Sequence, residues 1–372
     1  MRKSMMKSMP MASILLTGLA MLLHSGLAAA DDKQLNVYNW SDYIAHDTVR
    51  GFEQKTGIKV KYDVFDSDDT LQTKLLTGKT GYDVVVPSST AMARQIEAGI
   101  YQKLDKSRMP NLANLDKSLM QLVASADPGN QYGVPWAYGT DGLGYNLTRV
   151  RSVLGKDAVL DSWDVLFDVE KLGKLKGCGV SVLDQPSEIF PIVLNYLHKD
   201  PNSHNAADYQ AALELLKKIR PYITQFNSSG YINDLANGDI CFAVGWSGDV
   251  NIARHRAQEA KRHYQIAYII PREGAPVWFD VMVIPKDAPH PENAMSWINY
   301  IQSPEVNAAI TNEVFYPTAN AAARKLVMPD VANDPSIYPG EQTRKILFSL
   351  KPMPPDISRL ENRLWAQLKT GR

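Results

Sequence analysis

The sequence predicts a protein of the α/β class built from two domains. The chain of 372 residues is longer than one hydrophobic core usually supports, even after about 30 N-terminal residues are set aside as an export signal. Between residues 35 and 87, strand patterns alternate with helix patterns, which is typical of a parallel sheet covered by helices. Together, these two observations favour one α/β domain followed by a second.

Residues 1–30 have the pattern of a secretory signal peptide. A basic start precedes the apolar stretch 11–23, which is short for a membrane span, and small residues follow up to Ala30. We expect cleavage near Ala30 and release into the periplasm, because no cysteine stands at the cleavage site to carry a lipid anchor. An uncleaved membrane anchor is the alternative.

The first part of the mature chain predicts the order strand, helix, strand, helix, strand. The five elements are residues 35–39, 47–56, 58–63, 67–76 and 83–87. Strict alternation of side chains defines the second strand, and the third is apolar throughout, as in a strand buried on both faces. Gly57 ends the first helix and Ser67 caps the second.

The rest of the chain predicts a second α/β domain. We expect the chain to cross into it at residues 142–146, where two glycines allow close backbone approach. Strands are predicted at residues 179–183, 240–244, 266–270 and 281–285, and helices at 186–197, 206–219 and 291–302.

The charge balance argues against nucleic acid or an anionic membrane as a partner. Lysine plus arginine and aspartate plus glutamate both number 40. Surfaces for such polyanions carry an excess of basic residues, and no such excess exists here. Seven tryptophans and seventeen tyrosines are many for a soluble protein, so we expect part of them to line a site.

Three separate segments pair an aromatic residue with an aspartate: residues 40–43, 246–249 and 278–280. Each has the pattern of a strand end, and α/β sheets bind ligands outside the carboxyl ends of their strands. A matching ligand is cationic, so that carboxylates neutralise it, and carries methylene groups that ring faces can cover. A short aliphatic polyamine meets both demands. The alternative for each segment is a core aromatic residue beside a helix-capping aspartate.

Motifs for catalysis, cofactors and metal ions are incomplete. Residues 78–80 resemble part of a phosphate loop, but position 73 holds threonine where that motif needs glycine. Ser247 lies in a run similar to a nucleophile elbow, but Asp249 stands where its last glycine belongs. The aspartates within residues 63–69 lack the glycine of a calcium loop. We therefore expect no catalytic residue, no cofactor and no metal site.

Cys178 and Cys241 are the only cysteines in the chain. An even pair in an oxidising compartment favours one disulfide. The closed loop would span about 63 residues and would stabilise the fold by roughly 4 kcal/mol. Two buried free thiols or a redox pair are the alternatives, although neither cysteine lies in a C-x-x-C motif.

The sequence resembles the periplasmic putrescine- and spermidine-binding proteins of ABC importers. The resemblance extends over nearly the whole mature chain and is carried by residues 37–44, 84–88, 231–241, 245–249, 279–280 and 315–316. It implies the type II periplasmic binding protein fold, in which two α/β lobes joined by a crossed hinge close over the ligand, and a disulfide between the two cysteines. The expected division is a first lobe over residues 31–137 and 258–303 and a second lobe over residues 138–257 and 304–372.

The resemblance also implies which residues bind the ligand. The expected set is Trp40, Ser41, Asp42, Tyr43, Ser88, Glu188, Ser228, Trp246, Asp249, Trp278, Asp280 and Tyr316. Its five aromatic members would form a box around the methylene chain. Ser88 and Ser228 would add hydroxyl or water-mediated contacts.

The same resemblance implies that charge is divided between the two ends of the ligand. Asp249 and Asp280 would bind one ammonium group. Ser41, Asp42 and Glu188 would serve the other end, partly through water. Carboxylates ionised at pH 7 would hold the charge, and the rings would exclude water so that these pairs act in a low dielectric.

One position departs from the putrescine-type pattern. Trp278 stands where putrescine binders have Phe and spermidine binders have Trp, whereas Ser41 and Leu350 are of the putrescine type. No additional acidic residue near Gln185 would meet a third ammonium group, and an unpaired buried charge is costly. We therefore expect putrescine to be preferred over spermidine.

The leading hypothesis is a monomeric solute-binding protein that captures a polyamine, delivers it to the membrane permease of an ABC importer and catalyses nothing. A sensor that reports polyamine to a receptor is the alternative within this class. An enzyme that acts on an amine is the alternative from another class. An amine oxidase would need a flavin or quinone site, and no dinucleotide fingerprint is present.

Overall fold

The computed structural model describes residues 33–371, so the predicted signal peptide lies outside the described residues. The strands in this part of the chain are β1 Gln34–Trp40, β2 Lys59–Phe65, β3 Val84–Val85, β4 Val134–Asn146, β5 Val180–Val182, β6 Gln225–Phe226, β7 Phe242–Trp246, β8 Ile266–Ile269, β9 Pro276–Met282 and β10 Phe348–Ser349.

The α-helices of residues 33–371 pack around these strands. They are α1 Thr48–Thr56, α2 Asp68–Leu76, α3 Ser89–Glu97, α4 Lys117–Val123, α5 Leu147–Leu154, α6 Asp164–Phe167, α7 Val169–Leu175, α8 Pro186–Tyr196, α9 Ala206–Ile219, α10 Tyr231–Asn237, α11 Ser247–Glu259, α12 Pro291–Ile301, α13 Pro304–Val314, α14 Ala321–Arg324, α15 Pro329–Ala332, α16 Glu341–Arg344 and α17 Pro355–Thr370. None of them is both long and apolar enough to cross a bilayer.

The smaller sheet has three parallel strands, with β1 between β2 and β3. Its helices begin and end where the sequence predicts. Gly57 follows α1 with a φ of 72°, and the Ser67 side chain accepts a hydrogen bond from the Thr70 amide at the start of α2. Helix α12 packs on α1 through Trp297 and Phe52, whose ring centroids are 5.0 Å apart. The predicted order of alternating strands and helices is confirmed here.

The larger sheet has seven strands in the order β10-β9-β4-β7-β5-β6, with β8 paired to β4. The first half of β4 pairs with β9, and its second half, from Asp141 onward, pairs with β7 and β8. Backbone bridges join Val85 to Val283 and Ser88 to Asp280. The chain around β9 is therefore in contact with both sheets, and the residues predicted as a crossing are the end of one long strand.

The third aromatic segment lies inside a strand, whereas Trp40 and Trp246 end β1 and β7 as predicted. The sequence predicts this strand over residues 281–285, but the strand covers Pro276–Met282, so the prediction is wrong at both ends. Side chains alternate along this strand. Trp278 and Asp280 therefore face one side, and Phe279 faces the other, where its ring lies 5.5 Å from that of Tyr138. Asp280 interrupts the apolar residues of this strand. The apolar run after Asp280 therefore does not show where the strand begins.

Cys178 and Cys241 form a disulfide with their Cα atoms 5.5 Å apart, which confirms the predicted pairing. The bond lies beside the start of β5 and β7, which pair in parallel at Val180 and Phe242. It ties together two neighbouring strands that are distant in sequence.

Candidate functional site

A cavity lies where the ends of β1 and β7 meet the middle of β9. It holds about 450 Å³ of empty space, counted with its mouth. The residues that line it are Trp40, Ser41, Tyr43, Asp66, Ser88, Glu188, Ser228, Trp246, Asp249, Trp278, Asp280 and Tyr316. Eleven of the twelve residues in the expected binding set are therefore brought together.

Five aromatic rings, here called the aromatic wall, follow one another along the cavity. Trp40 meets Trp246 edge-on with 5.7 Å between centroids, and Trp246 meets Trp278 at 6.4 Å. Trp278 lies 5.7 Å from Tyr316, which meets Tyr43 at 4.8 Å with the two rings perpendicular. Edge-to-face contacts of this kind fix ring orientation. All five side chains are buried, so the wall offers a water-poor surface to an aliphatic chain.

One group of carboxylates is held by tyrosine hydroxyls, and we call it the tyrosine end. Tyr43 donates a hydrogen bond to Asp280 at 2.8 Å. Tyr316 and Tyr231 donate to the two oxygens of Asp249, at 2.6 and 2.9 Å. Burial raises the pKa of all three tyrosines well above the usual value, so these hydroxyls remain donors.

Burial also acts on the carboxyls of the tyrosine end. It raises the pKa of Asp249 to about 7, against the lowering effect of the Tyr316 and Tyr231 hydrogen bonds. The pKa of Asp280 is raised well above its usual range, first by burial and further by the negative charges of Asp68 and Asp249. A cation placed beside these two groups favours their ionised forms, because opposite charge offsets desolvation.

A second group of carboxylates is held by indole N–H groups, and we call it the tryptophan end. Trp246 donates from Nε1 to Glu188 at 2.8 Å, and Trp278 donates from Nε1 to Asp141 at 2.9 Å. Burial raises the pKa of Glu188 well above its usual range, and the charge of Asp141 raises it further. Glu188 lines the cavity, whereas Asp141 lies behind Trp278 and is fully buried.

The serines of the expected set line the cavity but already have partners. Ser88 donates from Oγ to Asp68 at 2.5 Å and caps α3 by accepting from the Ala91 amide. The Ser228 hydroxyl accepts from the Asp184 amide at 3.0 Å. These contacts orient each hydroxyl and leave only part of its bonding capacity for a ligand.

Asp42 is the member of the expected set that does not line the cavity. It has a φ of 53°, and its carboxylate pairs with Arg256 at 2.5 Å outside the cavity. The left-handed turn directs this side chain away from its neighbours Ser41 and Tyr43. The sequence pattern could not reveal this direction.

Two acidic residues of the site, Asp66 and Asp141, are absent from the expected set. Asp66 lies at the mouth of the cavity, directly after β2. Its position after a parallel strand was an available signal, of the same kind as that for Trp40. Asp141 is a lone acidic residue within the otherwise uncharged strand β4, and a buried charge of this kind is a recognisable signal.

The arrangement is suited to binding and not to metal chemistry. Two acidic groups lie along one aromatic wall, and each carboxylate is held in place by hydrogen bonds from protein donors. Among residues 33–371, no group of three His, Cys, Asp or Glu side chains is placed to hold a metal ion. The chemistry offered is the recognition of an elongated organic cation with charge at both ends.

The family model of the bacterial extracellular solute-binding proteins matches residues 47–339. The chain belongs to this family. Its fold is that of the type II periplasmic binding proteins, and it is a substrate-binding protein of the transport class rather than an enzyme.

Several relatives are similar over almost their whole length. The putrescine-binding periplasmic protein SpuD of Pseudomonas aeruginosa is 51% identical over 94% of this chain and 95% of the relative. The putrescine-binding periplasmic protein PotF of Escherichia coli is 51% identical over 96% of this chain and 97% of the relative. Among solved structures, the spermidine/putrescine ABC transporter substrate-binding protein PotD of Streptococcus pneumoniae is 28% identical with a TM-score of 0.73, covering 91% of this chain and 99% of that chain.

Proposed function

We propose that this protein captures putrescine and delivers it to the membrane permease of an ABC importer. The observation that carries the proposal is the placement of two buried acidic groups along one aromatic wall. Putrescine has an ammonium group at each end of a short methylene chain, so its charges and its apolar middle match the two kinds of surface. Two relatives that are 51% identical to this chain are named as putrescine-binding proteins.

The proposed roles follow from the geometry. One ammonium group would lie at the tyrosine end, between Asp249 and Asp280. The other would lie at the tryptophan end, beside Glu188, with Ser41 and Ser88 close by. The aromatic wall would cover the methylene groups and keep water from both charge pairs, which strengthens each pair. Asp42 would act outside the cavity through its pairing with Arg256.

We further propose that the protein works as a monomer in the periplasm after removal of residues 1–30. Relatives named as periplasmic support the location. The pattern of basic, apolar and small residues at the start of the sequence supports export. Size-exclusion chromatography of the mature chain, with and without putrescine, tests the monomeric state.

Two lobes that close over the ligand are part of the proposal. The division of β4, with β9 along its first half and β7 and β8 along its second, supports a hinge near Asp141. Because β8 pairs within the larger sheet, we propose that the chain returns to the first lobe at β9 and not at residue 258. Small-angle scattering should show a smaller radius of gyration with putrescine, and an unchanged profile at saturation would contradict closure.

The direct test is calorimetric titration of the mature protein with putrescine, after a thermal-shift screen of putrescine, cadaverine, agmatine, spermidine and spermine. We expect saturable binding of putrescine at one site per chain and no chemical change in the ligand. If none of the five compounds binds, the proposed function is wrong. If an amine is consumed, the protein is an enzyme.

Spermidine is the competing ligand, and Trp278 is the residue that favours it, because a larger ring covers more of a longer chain. A third ammonium group must also find a partner, and an unpaired one is penalised. The recess lined by Gln185, Thr90 and Leu350 also contains the carboxyl groups of Asp68, Asp69 and Glu361, so the expectation that no acidic residue lies near Gln185 is wrong. This recess is separate from the cavity lined by the aromatic wall. We expect putrescine to displace spermidine at the lower concentration, and the reverse order in a competition titration would overturn this ranking.

A further inference from the structure

Tyr231 lies behind the cavity, and its hydroxyl group contacts two residues that line it. It is the first residue of α10, and its side chain is fully buried. The hydroxyl donates to Oδ2 of Asp249 at 2.9 Å and accepts from the backbone amide of Trp246 at 3.0 Å. A hydroxyl has one proton to donate, so this group donates and accepts only within the protein framework of the site.

Tyr231 joins the end of a strand to the start of a helix. Trp246 is the last residue of β7, and Asp249 lies in the first turn of α11. The ring reaches this junction because Gly245 has no side chain: a Cβ atom at that position would lie 2.6 Å from the Tyr231 ring and 2.7 Å from its hydroxyl oxygen. Glycine is the residue that permits so close an approach to the backbone.

The contacts of Trp246 extend to the opposite end of the cavity. Its backbone amide is held by Tyr231, and its indole Nε1 donates to Glu188 at 2.8 Å. A continuous series of hydrogen bonds therefore runs from Glu188 through Trp246 and Tyr231 to Asp249. All four side chains are buried, so water does not compete freely for these bonds. The series links one carboxylate at the tryptophan end to one at the tyrosine end.

The second oxygen of Asp249 is held by a residue of a different kind. Tyr316 donates to Oδ1 at 2.6 Å, and its hydroxyl accepts from the Asp249 amide at 3.3 Å. Tyr316 belongs to the aromatic wall and lines the cavity. Loss of its hydroxyl would therefore change the cavity surface directly. Tyr231 offers a cleaner case, because its hydroxyl acts through Asp249 and Trp246.

We propose that Tyr231 is a positioning residue that fixes the spacing between Asp249 and Glu188, and that this spacing selects putrescine over the longer diamine cadaverine. The inference rests on the proposed function. Both diamines carry two ammonium groups and differ by one methylene group, so charge alone does not distinguish them. Hydrogen bonds behind a binding site hold its groups to within about 0.5 Å. A fixed spacing misplaces one ammonium group of the longer diamine, whereas a relaxed spacing admits both.

The test is calorimetric titration of the mature protein with putrescine and, separately, with cadaverine. Tyr231→Phe keeps the ring and removes the hydroxyl. We expect putrescine affinity to fall about tenfold, and the preference for putrescine over cadaverine to fall by at least about threefold. The reason for the second change is that cadaverine loses less when the spacing relaxes.

Tyr209→Phe is the matched control. Tyr209 is also a fully buried tyrosine, and its hydroxyl donates to the backbone carbonyl of Ser203 at 2.8 Å in α9 and the turn before it. This substitution removes the same atom away from the cavity. It should lower the melting temperature and leave the affinities for both diamines at the parent values.

A purely structural role for Tyr231 gives a different result. In that case Tyr231→Phe changes both affinities by the same factor or changes neither, which overturns the inference while the proposed function stands. Parent protein that binds cadaverine as tightly as putrescine, or more tightly, also overturns the inference. If the parent binds neither diamine nor any other polyamine, the proposed function fails with it.

Gly245→Ala replaces Tyr231→Phe if the latter does not fold. Its methyl group would displace the same hydroxyl while every hydrogen-bonding group remains in the chain. Gly340→Ala is its control, because open space surrounds that position. The preference for putrescine should fall in Gly245→Ala and persist in Gly340→Ala. An unchanged preference in Gly245→Ala overturns the inference.

Discussion

The two ends of the cavity hold their carboxylates with different hydrogen-bond donors. At the tyrosine end, both Asp249 and Asp280 line the cavity and are held by hydroxyl groups. At the tryptophan end, Glu188 lines the cavity but Asp141 is sealed behind Trp278. The cavity is therefore lined by two of these carboxylates at one end and by one at the other. We expect the tyrosine end to supply most of the binding energy.

The donors differ for a physical reason. A tyrosine hydroxyl lies at the tip of the ring, so Tyr43 and Tyr316 each bring both a ring face and a donor to the carboxylates of Asp280 and Asp249. An indole N–H lies on the ring edge, so Trp246 and Trp278 hold carboxylates at one edge and keep their faces free. The tryptophan end is therefore the better surface for methylene groups.

The largest expected effect follows from removal of charge at the tyrosine end. Asp280→Asn or Asp249→Asn should weaken putrescine binding by about 2 to 5 kcal/mol, because a buried ammonium group loses a carboxylate partner. Calorimetry measures the loss. Asp66→Asn is the matched control, since the same change at the exposed mouth should cost less than about 1 kcal/mol. If Asp280→Asn and Asp66→Asn lose the same amount of putrescine affinity, the tyrosine end is not the place where an ammonium group binds.

The stability of the ligand-free protein should fall as pH rises. The pKa values of Asp141 and Asp249 are about 7 in the folded protein, above the usual values of the unfolded chain. The folded state therefore binds more protons between about pH 4 and 7, and that contribution is lost as pH rises through 7. Denaturant titrations should give a free energy of unfolding that is lower at pH 8 than at pH 5 by about 2 to 3 kcal/mol for each of these two carboxyls.

The same titrations compare the two ends. Asp249→Asn and Asp141→Asn should each remove part of the pH dependence, one at each end of the cavity. Saturating putrescine should restore stability at pH 8, because bound cation favours the ionised carboxyls. A free energy of unfolding that increases from pH 5 to pH 8 would show that these carboxyls are ionised in the folded protein.

A smaller effect is expected from Gly248, which lies against Tyr316. A methyl group at this position would collide with the Tyr316 ring, so Gly248→Ala should displace the ring and its hydrogen bond to Asp249. We expect a loss in putrescine affinity of about 1 to 3 kcal/mol. Gly340→Ala is the control, since open space surrounds that position. If Gly248→Ala binds putrescine as tightly as the parent, displacement of the Tyr316 ring does not lower the affinity.

The smallest of these effects is expected at the tryptophan end. Glu188→Gln keeps an oxygen that can accept from Trp246, and Asp141 still supplies one negative charge nearby. Putrescine affinity at pH 7.5 should therefore fall by only about 1 to 2 kcal/mol. If Glu188→Gln costs as much as Asp280→Asn, the two ends contribute equally and the comparison above is wrong.

Local signals in the sequence predicted most of the elements near the site. Gly57 and Ser67 begin or end helices where expected, and Trp40 and Trp246 end strands as expected. The prediction failed at the start of β9, because Asp280 interrupts its apolar residues and only the apolar run after Asp280 indicates a strand. A strand is recognised in a sequence by the apolar residues of its buried face. In β9, the face with Trp278 and Asp280 lines a cavity instead.

The sequence by itself determined the composition of the site: aromatic residues and carboxylates at recognisable positions, and two cysteines able to pair. Only the tertiary structure decided which carboxylates face the cavity. Asp42 turns away to Arg256, and Asp141, absent from the expected set, supports the site from behind. The reason is that strand and turn geometry set the direction of each side chain, while contacts between distant segments decide what that direction meets.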